Sequence, residues 1–327
     1  MLRFGERLRK KERSCLPLRE KLLIERIRRM ASRRTKLTSM GIGDDSAVLR
    51  LPRDNEALVT TDFSLEGVHF RREWHPPDAV GHRCLARGLS DIAAMGGVPH
   101  AAFLSLALPP DLPQSWVDGF LAGLLKLAKR FSVTLAGGDT AQSPNGVLAD
   151  IVVLGSVPAG RAVLRSGARA DDALYVTGSL GSSVATLNEL RAGRKLPPKG
   201  RQKHFYPEPR VAVGEFVRRN NIATAMIDIS DGLSTDLAHI CDESGAGAVV
   251  RAESLPVAPG TGLLLALHGG EEYELLFTAR PKTRVPKRIA GVAVTRIGEI
   301  ISGRQMKLAD QSGRAAILRP GGWEHFA

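Results

Sequence analysis

The sequence has little cysteine: Cys15, Cys84 and Cys241 are the only three in 327 residues, odd in number and far apart. That excludes a disulfide framework and a zinc site built on paired cysteines, and it leads us to expect reduced thiols in the cytoplasm. No apolar run approaches the roughly 20 residues that span a bilayer. Near the basic N-terminus the longest uninterrupted apolar stretch is Leu22-Leu23-Ile24, too short for a signal-peptide core. Familiar nucleotide motifs are missing as well. No Gly-x-x-x-x-Gly-Lys-Ser/Thr loop occurs, and Gly178-Ser179-Leu180-Gly181 is too short and lacks the lysine. There is no Gly-x-Gly-x-x-Gly, no protein-kinase motif set and no Gly-x-Ser-x-Gly elbow, which excludes P-loop, dinucleotide-fold, protein-kinase and serine-hydrolase readings.

Charge is present in excess but unevenly. The formal net charge is +12, and residues 1–36 alone carry 14 Lys+Arg against 4 Asp+Glu. The basic excess therefore belongs to an N-terminal arm, which reads as a solvated extension. Without interleaved aromatics for base stacking, nucleic acid is not the expected partner. The length allows about two domains. Residues 1–16 read as the extension, 17–158 as one mixed α/β domain and 159–327 as a second, with a boundary near Pro158–Gly160.

Within these, hydrophobic periodicity predicts helices over 17–32, 78–95 (with Asp78 as N-cap and Gly96 at the stop) and 114–130. Later helices are expected from about Ser182, over VAVGEFVRR and from near Leu233. ALVTTDFSL, AAFLSLALP, VTLAGGDT, VLADIVVLGSVP, DALYVTG, ATAMIDIS, YELLFTA and VAVTRIGEI read as strands, and RKLPPKGRQKHF as a loop. Consecutive mixed α/β halves follow.

The informative feature is where the acids fall. Asp44 and Asp45 lie in a glycine-flanked loop, and Asp62 ends a Val-Thr-Thr-Asp strand. Asp91 sits on a small, apolar helix face four residues after Arg87. Asp139 follows Gly137-Gly138, and Asp228 and Asp231 flank Ser230 where a strand passes into a helix. A buried acid needs a partner, so Asp91 calls for a cation or for Arg87. Strand alternation puts Thr60 with Asp62, and Asp228 with Ser230, on shared faces. Oxygen-only donors suit Mg²⁺ rather than zinc or a redox metal, and converging carboxylates would require it to offset their repulsion. Taken singly, aspartates beside Gly and Ser are ordinary turn and cap residues, as read for Asp54 and Asp171. His75, His82, His100 and His239 read as structural or exposed.

The segments GIGDDSAVL, VTTDFSLEGVHF, GLSDIAAMGG, AGGDT, LYVTGSLG, YPEPRVAVG, MIDISDGLSTDLAHI, GGEEYELLFT and GGWEHFA occur in the order found in thiamine-monophosphate kinases, and the chain resembles that family over roughly 17–327. Several motifs are shared with the wider superfamily of aminoimidazole-ribonucleotide synthetase. The resemblance implies a two-domain α/β (α+β) aminoimidazole-ribonucleotide synthetase-like fold whose N-terminal sheet pairs across a homodimer. It implies ATP-dependent, Mg²⁺-dependent phosphorylation of thiamine monophosphate to thiamine diphosphate. Carried over by motif, Asp45, Thr60, Thr61, Asp62, Asp91, Asp139, Asp228 and Asp231 would hold magnesium, with Asp62, Asp91, Asp139 and Asp228 central to catalysis. Gly138, Asp139, Arg165 and Ser230 would contact ATP, and His69, Glu271 and Trp323 the thiamine substrate. The plain structural alternatives for these last three are a core histidine, a strand-edge glutamate and a buried tryptophan.

Two departures stand out. The family's usual Asn-Leu-Ser-Asp is Gly88-Leu89-Ser90-Asp91 here, and its Gly-Glu-Asp-Tyr-Glu is Gly270-Glu271-Glu272-Tyr273-Glu274. Either could shift substrate binding, but the aspartates are intact and activity is expected. The alternatives are another ATP-dependent synthetase of the superfamily or a non-catalytic nucleotide- or thiamine-phosphate-binding protein. The glycine-rich N-terminal region lacks the cysteine of a selenophosphate-type enzyme, and the chain ends HFA without the terminal cysteine of a hydrogenase-maturation protein.

Overall fold

The computed structural model describes residues 20–31, 37–42, 46–194 and 198–325. The basic extension, Cys15, Asp44 and Asp45 lie outside them. The chain forms two compact units, Met1–Gly88 with Pro99–Ser156, and Leu89–Val98 with Val157–Ala327.

The N-terminal half runs α1 (Glu20–Met30), β1 (Thr38–Met40), β2 (Val48–Leu49), β3 (Asn55–Leu65), α2 (Pro77–Ala94), β4 (Val98–Leu108), α3 (Gln114–Arg130), β5 (Thr134–Gln142) and β6 (Leu148–Pro158). Four of these strands form a sheet in the order β3-β6-β4-β5, with β4 and β5 parallel. Helices α2 and α3 approach closely because Gly81 faces the Phe120 carbonyl and Gly123 the Asp78 carbonyl, where a Cβ would collide with backbone. Leu85, Phe120 and Leu124 on these two helices are fully buried. Helix α2 begins at Pro77, where a missing N–H costs nothing. Asp78 therefore lies in the first turn rather than at the N-cap. Gly96 follows the helix at φ 68°, as its place at the stop predicts.

Gly88 faces Val153, whose Cγ2 lies 2.5 Å from where a Cβ would stand, and Thr60 at 3.6 Å. Val153 thus occupies the space that the family's usual asparagine would need. Gly88→Asn is expected to overpack this contact, at a cost of about 1–3 kcal/mol. Thermal unfolding should show the loss, and Val153→Ala in the same chain should recover part of it.

The second half runs β7 (Ala173–Thr177), α4 (Ser182–Arg191), α5 (Pro198–Phe205), α6 (Val211–Arg219), β8 (Ala225–Asp228), α7 (Leu233–Ser244), β9 (Gly247–Arg251), α8 (Leu263–His268), β10 (Leu275–Ala279), β11 (Arg288–Ile289), β12 (Val292–Ile301), β13 (Met306–Ala309) and β14 (Ala315–Ile317). Its sheet has the order β14-β13-β9-β12-β7-β10-β8, with β11 paired to β12. Every residue of β10 is buried. Strand β10 lies antiparallel between β7 and β8, in a register that sets Leu275 against Asp228. Leu174, Val176, Ile227, Leu237, Ile240, Leu276 and Ile297 form the core.

The segment read as a loop at 194–205 contains α5. Proline at its first position is compatible with a helix start, and burial of His204 and Phe205 fixes its end. Among the described residues no helix is long and apolar enough to cross a membrane.

Candidate active site

In the first unit, β3 carries Thr60, Thr61 and Asp62. The strand runs on to Leu65, so Asp62 sits inside it rather than at its end. Burial alternates: Leu58 and Ser64 are buried, Thr60 and Asp62 half-buried, Val59, Thr61 and Phe63 exposed. Thr60 and Asp62 thus share a face, and Thr61 lies on the opposite one. There its hydroxyl donates to Asp150 Oδ1 at 2.7 Å. Arg87 Nη1 lies 3.5 Å from Asp62 Oδ1 and donates to the Phe63 carbonyl at 2.9 Å. Arg87, weighed above as a partner for Asp91, thus also serves Asp62 and its strand. Buried Cys84 lies in this neighbourhood. Burial pushes its thiol up to about 12, so it is not a nucleophile at neutral pH.

After β3 the chain turns back through Gly67. The Leu65 N–H donates to His69 Nδ1 at 3.0 Å, which leaves Nε2 of this half-buried imidazole to carry the proton. His69 is thus held by its own turn and is not a core residue.

Asp139 also lies inside its strand, β5, paired with Ser105 of β4, and β6 and β4 separate it from Asp62. Gly138 adopts φ 145° with its α-carbon against the Leu104 backbone. No side chain fits there, so the main chain at 138–139 stays bare. A cavity of 810 Å³ opens beside this pair, walled by Ile24, Ile27, Phe103, Leu106 and Ala136 among others.

In the second unit, the end of β8 passes through Ser230, Asp231 and Gly232 into α7. Asp228 is 4% exposed, and Ser90 Oγ donates to its Oδ2 at 2.6 Å. The turn itself is built by three strands of chain. The Glu271 N–H donates to Ser230 O at 2.7 Å, the Tyr273 N–H to Ile229 O at 2.9 Å, and the Trp323 N–H to Asp231 O at 3.0 Å. Glu271 and Tyr273 both hold positive φ, 60° and 52°, on a loop preceding β10. For side chains of this size that is strained backbone, held by the hydrogen bonds around it. The strand-edge alternative for Glu271 therefore fails.

The C-terminal segment is latched onto the first turn of α7. Gly321 N–H donates to Ser234 Oγ at 3.2 Å and Gly322 N–H to Thr235 Oγ1 at 3.0 Å. Gly322 packs so closely on the Asp231 carbonyl that no Cβ fits. The latch leaves the Trp323 indole 51% exposed, so it is not a buried tryptophan. Ser230, Asp231, Glu271 and Trp323 are therefore brought together at one helix N-terminus, where the backbone dipole favours anions. Arg165 is not among them. It is exposed, and its carbonyl accepts from Ser244 Oγ at 3.2 Å at the far end of α7, about 18 Å along a 12-residue helix.

Asp236, which the sequence reading passed over, and His239, which it read as structural or exposed, join this turn. Asp236 Oδ2 accepts the N–H groups of Asp231 and Gly232 at 3.2 and 3.0 Å. Burial, then the charges of Asp228 and Asp231, push its carboxyl up to about 8. His239 lies within ligand distance of Asp231 and Asp236. The three-residue spacing from Asp236 to His239, one helical turn, was the signal available.

Glu272 turns away from this surface. Its Oε1 accepts the Ser183 N–H at 2.8 Å in the first turn of α4, and Lys203 Nζ lies 3.7 Å from Oε2. Burial pushes its carboxyl up, opposed by Lys203 and the Ser183 N–H. The extra methylene relative to the family thus serves a helix terminus. Glu272→Asp is expected to lower stability by about 1 kcal/mol and to leave the KM for substrate unchanged. Thermal unfolding and initial rates check the two halves of that statement.

Residues 43–157 match the AIR synthase related protein N-terminal domain, and 169–311 match its C-terminal domain. Thiamine-monophosphate kinase of Salmonella typhimurium is 37% identical over 305 residues, 88% of this chain and 92% of that protein. The Bacillus subtilis protein of the same name is 32% identical over 306 residues, 88% and 93% of the two chains. Thiamine-monophosphate kinase from Stenotrophomonas maltophilia K279a superposes with a TM-score of 0.79 at 34% identity, over 91% of this chain and 98% of that one. A structure of AaThiL complexed with AMPPCP and TMP gives 0.76 at 32% identity, covering 94% and 97%. With this identity running along nearly the whole of both chains, the protein belongs to the thiamine-monophosphate kinase family of the AIR synthase related proteins.

Proposed function

We propose that this protein transfers the γ-phosphoryl group of ATP to thiamine monophosphate, forming thiamine diphosphate and ADP. The observation that carries the reading is the end-to-end similarity to thiamine-monophosphate kinases, one of them bound to an ATP analogue and TMP. The acceptor phosphate oxygen is already anionic, so the reaction needs no strong base. Positioning and charge neutralisation supply the rate.

The donor chemistry fits Mg²⁺. Thr60, Asp62 and Asp139 in the first unit, and Asp91, Asp228 and Asp231 in the second, offer only hydroxyl and carboxylate oxygens; Thr61, on the opposite face of β3 with its hydroxyl on Asp150, drops out of the set. The upward push on Asp236 by Asp228 and Asp231 marks acids crowded enough for a cation to relieve. Asp45, outside the described residues, belongs to the same proposed set. Bound magnesium would supply neutralisation of the phosphate charge. This chain's residues do the rest. The bare backbone at Gly138 and Asp139 meets the nucleotide, with its base in the adjoining cavity, and Ser230 holds a phosphate oxygen; Arg165, at the far end of α7, drops out of this set. His69 offers an Nε2–H to the substrate, Glu271 a carboxylate to its cationic end, and the exposed Trp323 face a platform for its rings.

Val59 and Phe63, exposed at 66% and 55% on edge strand β3, support pairing of this sheet with a second copy. Trp323→Ala should raise the KM for thiamine monophosphate by about tenfold, the worth of one good cation–π or stacking contact. The KM for ATP should stay within twofold. One ADP should form per thiamine diphosphate, and ADP formation indifferent to thiamine monophosphate would overturn the reading.

A further inference from the structure

The second unit has a concave surface at the start of β8, the end of that strand opposite the Asp228–Asp231 turn. It measures 570 Å³ and is lined by two loops, 160–169 and 221–224, together with Arg218, Arg280 and Thr283. Four of its lining residues are arginines, Arg161, Arg169, Arg218 and Arg280, and none is acidic.

These guanidinium groups are not neutralised from within. None of the four forms an ion pair with a carboxylate among the described residues. Arg161 bonds instead to the neutral side-chain amide of Asn221. Arg218 Nε donates to the Gly96 carbonyl at 2.6 Å, although this residue is only 9% exposed. Asp172, three residues after Arg169, is turned elsewhere. Its Oδ2 accepts the Arg169 backbone N–H at 3.1 Å and the Thr224 hydroxyl at 2.7 Å. Burial lowers the Arg218 pKa, and the Arg219 and Arg161 charges lower it further, against the pull of Glu215. A buried cation held among like charges is unfavourable unless an anion completes it. Hydroxyls of Ser166 and Thr283 line the same walls and add donors of the kind phosphate oxygens take. Gly167, at φ 118° against the Thr224 carbonyl, keeps the two loops in contact and the concavity narrow.

We infer that this pocket is an anion site for a diphosphate group, separate from the phosphoryl-transfer site. Planar guanidinium forks match phosphate oxygens bidentately, and several converging on one hollow favour a compact polyanion over a single carboxylate. Concavity favours a small molecule over a nucleic-acid backbone, which would be tracked by an open stripe. Two diphosphate esters, ADP and thiamine diphosphate, share this chemistry.

The test is calorimetric titration of the full chain with inorganic pyrophosphate, in 100 mM salt and with EDTA, so that no metal-dependent phosphate binding contributes. Wild type should bind at one saturable site. Arg169→Ala/Arg280→Ala removes two exposed side chains that make no side-chain bond and should weaken binding at least tenfold. Arg251→Ala/Arg296→Ala removes the same charge from the Glu299 ion pairs and should change it less than twofold. Phosphorylation of thiamine monophosphate by the Arg169/Arg280 variant should remain within twofold of wild type at low product concentration. The same titration with ADP and with thiamine diphosphate identifies the ester, and arginine-dependent binding of either supports the site. Absence of saturable pyrophosphate binding, equal weakening in both double variants, or binding of a single-stranded 20-mer RNA without pyrophosphate binding would each overturn it.

Discussion

Asp62→Ala is expected to reduce thiamine diphosphate formation by at least about 10³-fold, equivalent to ~4 kcal/mol of transition-state stabilisation, with the fold retained. Asp62 is half-exposed on β3, so water can replace its carboxylate. Its neighbour Arg87 keeps a bond to the Phe63 carbonyl at 2.9 Å. The structural loss is therefore small, and the melting temperature should move by only a few degrees. The functional loss is large because a phosphoryl transfer between two anions depends on its charge-neutralising donors. Steady-state rates, with circular dichroism on the same sample, separate the two effects. Turnover within tenfold of wild type would remove Asp62 from the metal-binding set.

The largest expected stability effect lies elsewhere, in the buried pair beneath the Glu271 loop. Glu274 is fully buried. It takes two bonds from Arg210, at 2.7 and 2.6 Å, and one from the Thr177 hydroxyl at 2.7 Å, and Lys203 Nζ lies 3.1 Å away. Burial alone would push its carboxyl up, but the Arg210 bonds and charge, with Lys203 and Thr177, outweigh that and hold it below the usual value of 4.5. Glu274→Gln keeps the shape but strands Arg210, whose side chain is 14% exposed. The expected loss is about 3–5 kcal/mol, which lowers the melting temperature by roughly 6–20 °C for a unit of this size. A depressed carboxyl contributes stability above its unfolded pKa and loses it as pH falls through its folded one. The gap between wild type and variant should therefore be full at pH 7 and close progressively below pH 4.5. Replacing both partners, Glu274→Leu with Arg210→Met, should recover much of the loss, since the damage comes from the stranded charge.

Much of this architecture could be read from periodicity. Helices α2, α3 and α6 and strands β3 to β8 follow apolar patterns that report directly on burial. Strands β9, β13 and β14 were not read, and β14, with three residues, is too short to show an alternation. Helix α5 was hidden because a proline, a glycine and charged residues dominate its composition, while among its described side chains His204 and Phe205 are the buried ones. The candidate site was legible as a set of residue types, but its geometry was not. That Thr61 faces away from Asp62 follows from strand alternation. That Ser90 meets Asp228 depends on contacts 138 residues apart, which no local pattern encodes. The seating of Trp323 on the Asp231 carbonyl likewise joins the C-terminus to the α7 turn through tight glycines. Glu272 is a further case: sequence placed this departure beside a proposed substrate residue, and only the structure shows that its carboxylate accepts from the first turn of α4.

The most direct measurement is mass spectrometry of the products formed from thiamine monophosphate and ATP carrying an isotopic label on the γ-phosphoryl oxygens. Labelled thiamine diphosphate with unlabelled ADP, abolished by EDTA and restored by Mg²⁺, is the predicted result. Label released only as inorganic phosphate, or thiamine diphosphate formed undiminished in EDTA, would contradict direct magnesium-dependent transfer by this chain.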